Sequence, residues 1–486
     1  MSIIHFEKVF YSYSPEANLA LNDISIHIKQ GEFLAVMGEN TAGKTTFCKL
    51  INGIIPHFHG GCLSGSVKVD NQDTVNCSVP QISQTVGMVL DDPDAQLFTS
   101  TVRNEAAFGP ENLGLPVLEI EQRVKNALFL VGLDGFEKRT PSTLSGGEKQ
   151  RLSIAAALAM FGKILVLDEP LRRLDPQGAM DVMAVLKDIQ VKNNITIIMA
   201  EHNSELMSKF ADRVCVLKNG SIAALDTAKN IFSNRSLLEE NGIQPPCHKG
   251  TQRTQSYLNQ FTLKPLGEQS PVIEIKDFSY KYPNGISIEN INLSIAENDF
   301  LAIMGFNGCG KTTLLKSITG LLRPSSGDIF ICGKNTKELP PSDISGKIGF
   351  VMQNPDSQLF TSSVFKEIAF ALKNKNLPKQ EIKKRVEESL KMAGLDNSIL
   401  DVFPHVLSKP DRAKLVIACV LAMGAKIILF DEVDAGDYHG NLNIMNIIKD
   451  LHKNGYTIII VTHNTSLAAD YACRLIKMDR KGIIPV

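Results

Sequence analysis

Net charge is almost missing from this 486-residue chain, because 51 lysines and arginines stand against 52 aspartates and glutamates. So even a balance provides no long-range attraction for a polyanion and sets nucleic acid aside as a partner. Also missing is any apolar run of the ~20 residues that a membrane-spanning helix needs. Stretches such as Ile427–Phe430 and Thr457–Val461 are strand-length, so any membrane association must come through a partner. The opening Met1-Ser-Ile-Ile-His-Phe-Glu lacks the charged-then-apolar pattern of a secretion signal. The nine cysteines contain no CxxC pair; scattered in this way, they read as reduced, mostly buried thiols of a cytosolic protein.

What is present is the balance of a globular protein, with 43% apolar and 21% charged residues in a chain long enough for two or more cores. It is also a repeat. Lys44-Thr-Thr recurs as Lys311-Thr-Thr, "GMVLDDPDAQLFTSTV" (Gly87–Val102) as "GFVMQNPDSQLFTSSV" (Gly349–Val364), and "ILVLDE" (Ile164–Glu169) as "IILFDE" (Ile427–Glu432). A period of about 265 residues is a whole domain rather than a solenoid unit. Two domains, 1–233 and 272–486, are therefore expected, joined by a polar linker over 234–271 that contains "CHKGTQRTQSYLNQ". In each copy short apolar strands alternate with helical stretches, which predicts an α/β core with a largely parallel sheet.

"GENTAGKTT" (Gly38–Thr46) and "GFNGCGKTT" (Gly305–Thr313) both satisfy G-x-x-x-x-G-K-[ST]. Each follows a strand-like run, Phe33–Met37 or Phe300–Met304. Glycines at this spacing let successive backbone N–H groups turn inward around a phosphate, and the helix that follows presents its positive end. The ATP-binding candidates in the first loop are Gly38, Asn40, Gly43, Lys44, Thr45 and Thr46. In the second they are Gly305, Asn307, Gly308, Gly310, Lys311, Thr312 and Thr313. The lysines bridge β- and γ-phosphates in this chemistry, while Thr45 and Thr312 hold Mg²⁺. Asp168 and Asp431 end apolar strands and can join in holding the metal; Glu169 and Glu432 follow them and can polarise an attacking water.

"LSGGEKQR" (Leu144–Arg151), between the first phosphate loop and its acidic pair, resembles the signature of ATP-binding cassette (ABC) ATPases. The resemblance covers nearly the whole chain apart from the linker. It implies two tandem cassettes, each an α/β core of mixed, largely parallel sheet with a helical signature subdomain. It implies that His202 and His463 are switch histidines facing γ-phosphate, that Gln353 joins the Mg²⁺ site, and that Tyr13 and Tyr282 stack on adenine. It also implies an internal pseudodimer, in which each phosphate loop is completed by the other cassette's signature.

On that pairing the two sites differ. Lys311, Thr312, Gln353, Asp431, Glu432 and His463 meet Ser145, Gly146 and Gly147, with Asp175 supplying the loop after the first acidic pair, and every element fits the family pattern. Lys44's site meets "LSKPDRAK" (Leu407–Lys414), where Ser408 remains but Lys409 and Pro410 replace the glycines, and Pro410 lacks an N–H. Tyr438 stands in place of Asp175, Asp91 in place of Gln353, and Thr41 in place of Gly308. The expectation is that the first site binds ATP but hydrolyses it slowly, while the second carries turnover.

The segments "PD-x-QLFTS-x-V" with "EAAFG" or "EIAFA", and the run "NGIIPHFHGG" (Asn52–Gly61), resemble energy-coupling factor (ECF) importers of cobalt, nickel and vitamins. That resemblance implies a transmembrane scaffold subunit, a small substrate-capture membrane subunit, and a place at the cytoplasmic face of the membrane. His57, His59 and Cys62 have no counterpart cluster in the second copy, so they are not read as a metal site. Tandem cassettes acting on ribosomes or nucleic acid carry basic arms or coiled-coil insertions, and neither occurs here. The PD-x-QLF segments also disfavour a sugar-importer ATPase.

Overall fold

The computed structural model describes residues 2–160, 162–171, 174, 176–246, 271–282, 287–305, 308–375, 377–433, 438–462, 471–479 and 481–485. His463, Asn307 and Asp175 lie outside the described residues. The chain divides into two compact units, Met1–Cys247 and His248–Val486.

In the first unit, five strands run parallel because helices return the chain across the sheet faces. Their order is Arg213–Lys218, Phe33–Met37, Thr196–Ala200, Ile164–Asp168, Val86–Val89, with Ser221–Thr227 added antiparallel at the outer edge. The strands Phe33–Met37, Ile164–Asp168 and Thr196–Ala200 are buried at every position, which explains their unbroken apolar runs. One face packs on a helical layer that includes Val102–Asn112, Val117–Leu130 and Gly146–Ala159. The other packs on a four-stranded antiparallel sheet ordered Leu21–Lys29, Ser2–Ser12, Cys62–Val69, Gln72–Asp73.

The second unit repeats this plan. Its large sheet is ordered Ile348–Val351, Ile427–Asp431, Thr457–Val461, Phe300–Met304, Arg474–Asp479, Gly482–Pro485, the last strand again antiparallel. Its helical layer includes Val364–Asn374, Lys379–Met392 and Lys409–Ala422.

The stretch read as a linker from Asn234 begins with folded structure. Asn234 caps the helix Arg235–Glu240 by accepting from Leu237 N, and Leu238 and Ile243 are buried in the first unit's core. These few apolar side chains were masked by the polar average of the segment. The first unit therefore runs past the boundary expected at residue 233.

Candidate functional site

Each phosphate loop leaves a central strand and turns directly into a helix, Lys44–Ile51 or Lys311–Ile318. The turn requires glycine. Gly43 and Gly310 hold φ of 103° and 106°, and a Cβ on Gly43 would lie 2.6 Å from the Ala20 carbonyl. Neither helix has a side-chain cap, so its first N–H groups are left facing the loop, as an anion site needs. Lys44 and Lys311 are buried. Lys44 Nζ donates to the Gly38 and Glu39 carbonyls at 3.1 and 2.9 Å, and Lys311 Nζ to the Gly305 carbonyl at 2.9 Å. Asn40 lies in the same loop as Lys44. Thr41 holds φ 67° where Gly308 holds 74°, so the first loop places a β-branched residue in the left-handed region. Such a placement costs about 1–2 kcal/mol.

The tyrosines stand beside the same helix starts. Tyr13 Oη lies 3.0 Å from Thr46 Oγ1, and Tyr282 Oη contacts Thr313 Oγ1. Each has a second tyrosine edge-on to it, Tyr11 or Tyr280, at 5.0 and 4.9 Å between ring centroids. Tyr13 is 47% exposed, which leaves it surface to offer.

Asp168 and Asp431 end their strands nearly buried, facing the lysine and threonine of the loop. Burial pushes the Asp168 carboxyl up to about 6, with Glu169 and Asp91 adding to the rise and Thr45 and Lys44 opposing it. Burial also raises Asp431, opposed by the Thr312 hydroxyl, which donates to Oδ1 at 3.1 Å. Asp168 Oδ1 is a buried acceptor with no hydrogen-bond partner among the described residues.

Glu169 and Glu432 follow with the same φ of 47°, each N–H bonded to the neighbouring strand at Ala200 O or Val461 O. Glu169 Oε1 lies 3.0 Å from His202 Nε2. Glu432 accepts from Gln353 Nε2 at 3.1 Å and lies 3.6 Å from Lys311 Nζ. Asp91, at the position of Gln353, is exposed and within electrostatic reach of Asp168.

Ser145 caps the helix Gly146–Ala159 in a capping box, Ser145 N donating to Glu148 Oε2 at 2.7 Å and Ser145 Oγ accepting from Glu148 N. A Cβ on Gly146 would meet nothing within 4 Å, and its φ is ordinary. The fold of its own cassette therefore does not require that glycine. Ser408 caps Lys409–Ala422 by accepting from Asp411 N, and both helices span 14 residues. Lys409 and Pro410 thus leave the helix intact while removing a donor from its first turn.

The PD-x-QLF segments form matching loops. Gln96 spans Leu90 N and the Met88 carbonyl, as Gln358 spans Met352 N and the Phe350 carbonyl. Asp94 pairs with Lys149 at 2.6 Å, and Asp356 with Arg412 at 2.8 Å, tying each loop to its signature helix. The buried carboxylates of Glu105 and Glu367 accept from Phe98 N and Thr99 N, and from Phe360 N and Thr361 N. Phe98 and Phe360 are each 66% exposed, packed edge to face on Phe108 and Phe370 at 4.8 and 4.9 Å.

Sequence reasoning missed Glu105, Glu367 and Glu201. Glu201 is 4% exposed and accepts from His202 N at 2.8 Å and Leu171 N at 3.3 Å. Its place just before a candidate switch histidine was the available signal.

A buried strand, a glycine turn, a lysine folded over it and a strand-end carboxylate define a P-loop nucleotide-binding ATPase, here present twice. The family model described as ABC transporter matches residues 21–172 and 288–435. A protein of Methanosarcina acetivorans, provisionally named an ABC transporter ATP-binding protein, is 34% identical over 99% of this chain and 85% of its own length. A similarly named protein of Caldanaerobacter subterraneus is 34% identical over 94% of this chain and 86% of its own. Among solved structures, cbiO1 of Clostridium perfringens, described as part of the ABC transporter complex cbiONQ, is 34% identical. It covers 49% of this chain and 94% of its own, with a TM-score of 0.44. The ATP-binding cassette MJ0796, in a structure bound to ADP and Pi, is 23% identical over 46% of this chain and 99% of its own, with a TM-score of 0.42. The chain belongs to the ABC transporter family, as an ATP-binding ATPase protein with two tandem cassettes. Among the described residues, no helix is long and apolar enough to cross a membrane.

Proposed function

We propose that this chain is the ATP-hydrolysing motor of an ECF-type importer, energising uptake of a vitamin or transition-metal ion through separate membrane subunits. The two cassettes pair head to tail, so that each phosphate loop is completed by the opposite signature. Lys311 holds the β- and γ-phosphates, Glu432 orients the attacking water with Gln353 beside it, and His463 senses γ-phosphate. The signature residues Ser145, Gly146 and Gly147 close this site, and Tyr282 lies against the adenine. Lys44, Tyr13, Glu169 and His202 form the corresponding nucleotide site of the first cassette, closed by Ser408 and turning over slowly.

Mg²⁺ fits the residues present: Thr45 with Asp168, and Thr312 with Gln353 and Asp431, are oxygen donors suited to a hard cation, and Asp168 Oδ1 is an acceptor left unfilled. Bound there, the ion neutralises charge building on the transferring phosphoryl group.

Gly146 supports the composite site, because a glycine that its own cassette does not need is explained by close approach of something else. The matching exposed pairs Phe98–Phe108 and Phe360–Phe370, on loops tied to the signature helices, support membrane coupling. A docked helix of a transmembrane scaffold would cover them and feel each movement of the signature. The chain then works at the cytoplasmic face of the membrane, held by the scaffold and a small substrate-capture subunit.

Affinity purification from detergent-solubilised membranes tests the reading. Two kinds of membrane protein should accompany the chain, and Phe98→Ala with Phe360→Ala should release them while ATP binding persists. Recovery with ribosomes or nucleic acid instead would overturn it.

A further inference from the structure

We infer that Glu201 is a positioning residue that holds the Glu169–His202 pair of the first cassette, at a position where the second cassette has Thr462. This rests on the assignment of Glu169 and His202 to that cassette's nucleotide site.

Two loops meet at the end of the parallel sheet. One follows the strand Ile164–Asp168 and carries Glu169, Pro170 and Leu171; the other follows Thr196–Ala200 and carries Glu201 and His202. The Glu201 side chain bridges them, one carboxylate oxygen accepting from His202 N at 2.8 Å and the other from Leu171 N at 3.3 Å. Pro170 has no N–H, so Leu171 supplies the first amide donor after Glu169. Glu201 is itself fixed, since its own N–H donates to the Val36 carbonyl at 3.1 Å, on the strand that enters the phosphate loop. The His202 ring then returns to Glu169 Oε1 at 3.0 Å.

These contacts close a ring from Glu169 through Leu171, Glu201 and His202 back to Glu169. Within it, the His202 backbone cannot move away from the Leu171 backbone unless a bond to Glu201 lengthens, which fixes the base from which the His202 ring reaches Glu169. Both oxygens of a nearly buried carboxylate are used on backbone donors, and such a group keeps its bonds because losing one leaves it desolvated. In the second cassette Thr462 occupies this place, its N–H donating to the Ile303 carbonyl at 3.3 Å as Glu201 N–H does to Val36. A threonine brings one short-reaching hydroxyl where glutamate brings two carboxylate oxygens. The two-oxygen carboxylate bracket thus belongs to the first cassette's sequence, and it acts on the pair Glu169 and His202.

The test uses the full chain carrying Glu432→Gln, so that single-turnover hydrolysis of radiolabelled ATP reports the first cassette. Into it go Glu201→Thr, Glu201→Gln and, as a control, Glu169→Gln. Glu201→Thr should slow the single turnover about tenfold while ATP affinity stays within about twofold, because the phosphate loop is untouched. Glu201→Gln, which keeps one acceptor, should fall between. Backbone amide exchange should quicken in residues 168–171 and 200–204 and nowhere else. An unchanged rate in Glu201→Thr beside a slowed Glu169→Gln would overturn the bracket and leave the site assignment standing. No effect from Glu169→Gln would sink the assignment, and the bracket would then be judged by exchange alone, unchanged exchange overturning it. Loss of affinity in step with rate would reduce Glu201 to a fold residue.

Discussion

At Thr41 and Gly308 the two phosphate loops make the same left-handed turn, yet one does so with a β-branched side chain. The same contrast recurs around both sites. The backbones agree down to the φ of 47° at Glu169 and Glu432, and both signature helices span 14 residues behind a serine cap. The side chains do not agree. In the first cassette four carboxylates, Asp91, Asp168, Glu169 and Glu201, interact electrostatically in a chain, where the second has Gln353, Asp431, Glu432 and Thr462 at the same positions. Among the described residues, Glu169 meets His202, and Glu432 meets the Gln353 amide and Lys311. A duplicated frame has thus kept its geometry and let its electrostatics diverge. Packing depends on both copies keeping their shape, whereas chemistry can be carried by one.

The largest effect should come from the acids themselves. Glu432→Gln should cut steady-state ATPase activity by at least about a hundredfold, the usual scale for removing a general base. Glu169→Gln should leave more than about half. Phosphate release from purified full-length protein measures both, and equal losses would end the idea of divided labour.

Stability should separate the two strand-end aspartates next. The folded-state value of Asp168, about 6, lies above the ordinary 3.8, so the folded cassette binds this proton more tightly than the unfolded chain. The associated stability is complete below about pH 4 and is lost as pH rises through about 6. Asp168→Asn should therefore stabilise the chain at pH 7.5 by on the order of 2–3 kcal/mol, and the gain should vanish toward pH 4. Asp431→Asn should gain less, since Lys316 joins Lys311 in opposing the rise there while Asp91 adds to the rise at Asp168. Calorimetric melts in the presence of a chelator would show it; equal, pH-independent shifts would contradict it.

The signature should matter about tenfold. In the Glu432→Gln background, replacing Lys409 and Pro410 by glycine restores an N–H donor, and residual hydrolysis should rise by about that factor. Because Ser408 caps the helix independently of both residues, the melting temperature should barely move. No rise in rate would mean that the first cassette's limit lies elsewhere.

Much of this was legible because it is written in contiguous residues. The phosphate loops, the strand-end acids and the duplication follow from spacing alone, and the buried parallel strands explain runs such as "ILVLD". What escaped needs two distant segments to meet. Glu201 looks like any polar residue after a strand until Leu171 is found 3.3 Å away. Leu238 and Ile243 look like isolated apolar residues in a polar stretch until the core they enter is known. The phenylalanines of "QLFTS" have the composition of core residues, and only the fold shows Phe98 and Phe360 turned outward.

The smallest expected effect falls on Asp91, and it probes the charge difference most directly. This carboxylate is exposed, but it faces the buried Asp168 and helps to raise it. Asp91→Gln copies the second cassette at that position, removing a negative charge near the incoming γ-phosphate. ATP affinity at the first site should improve by only about two- to threefold, because water screens an exposed charge. The same screening gives the test its signature. At physiological ionic strength the Debye length is about 8 Å, and raising salt toward 1 M shortens it to about 3 Å. The advantage of glutamine should therefore shrink steadily with added salt if charge is its cause. A salt-independent gain would point to shape or hydrogen bonding at residue 91, and the first site's weakness would then not be electrostatic there.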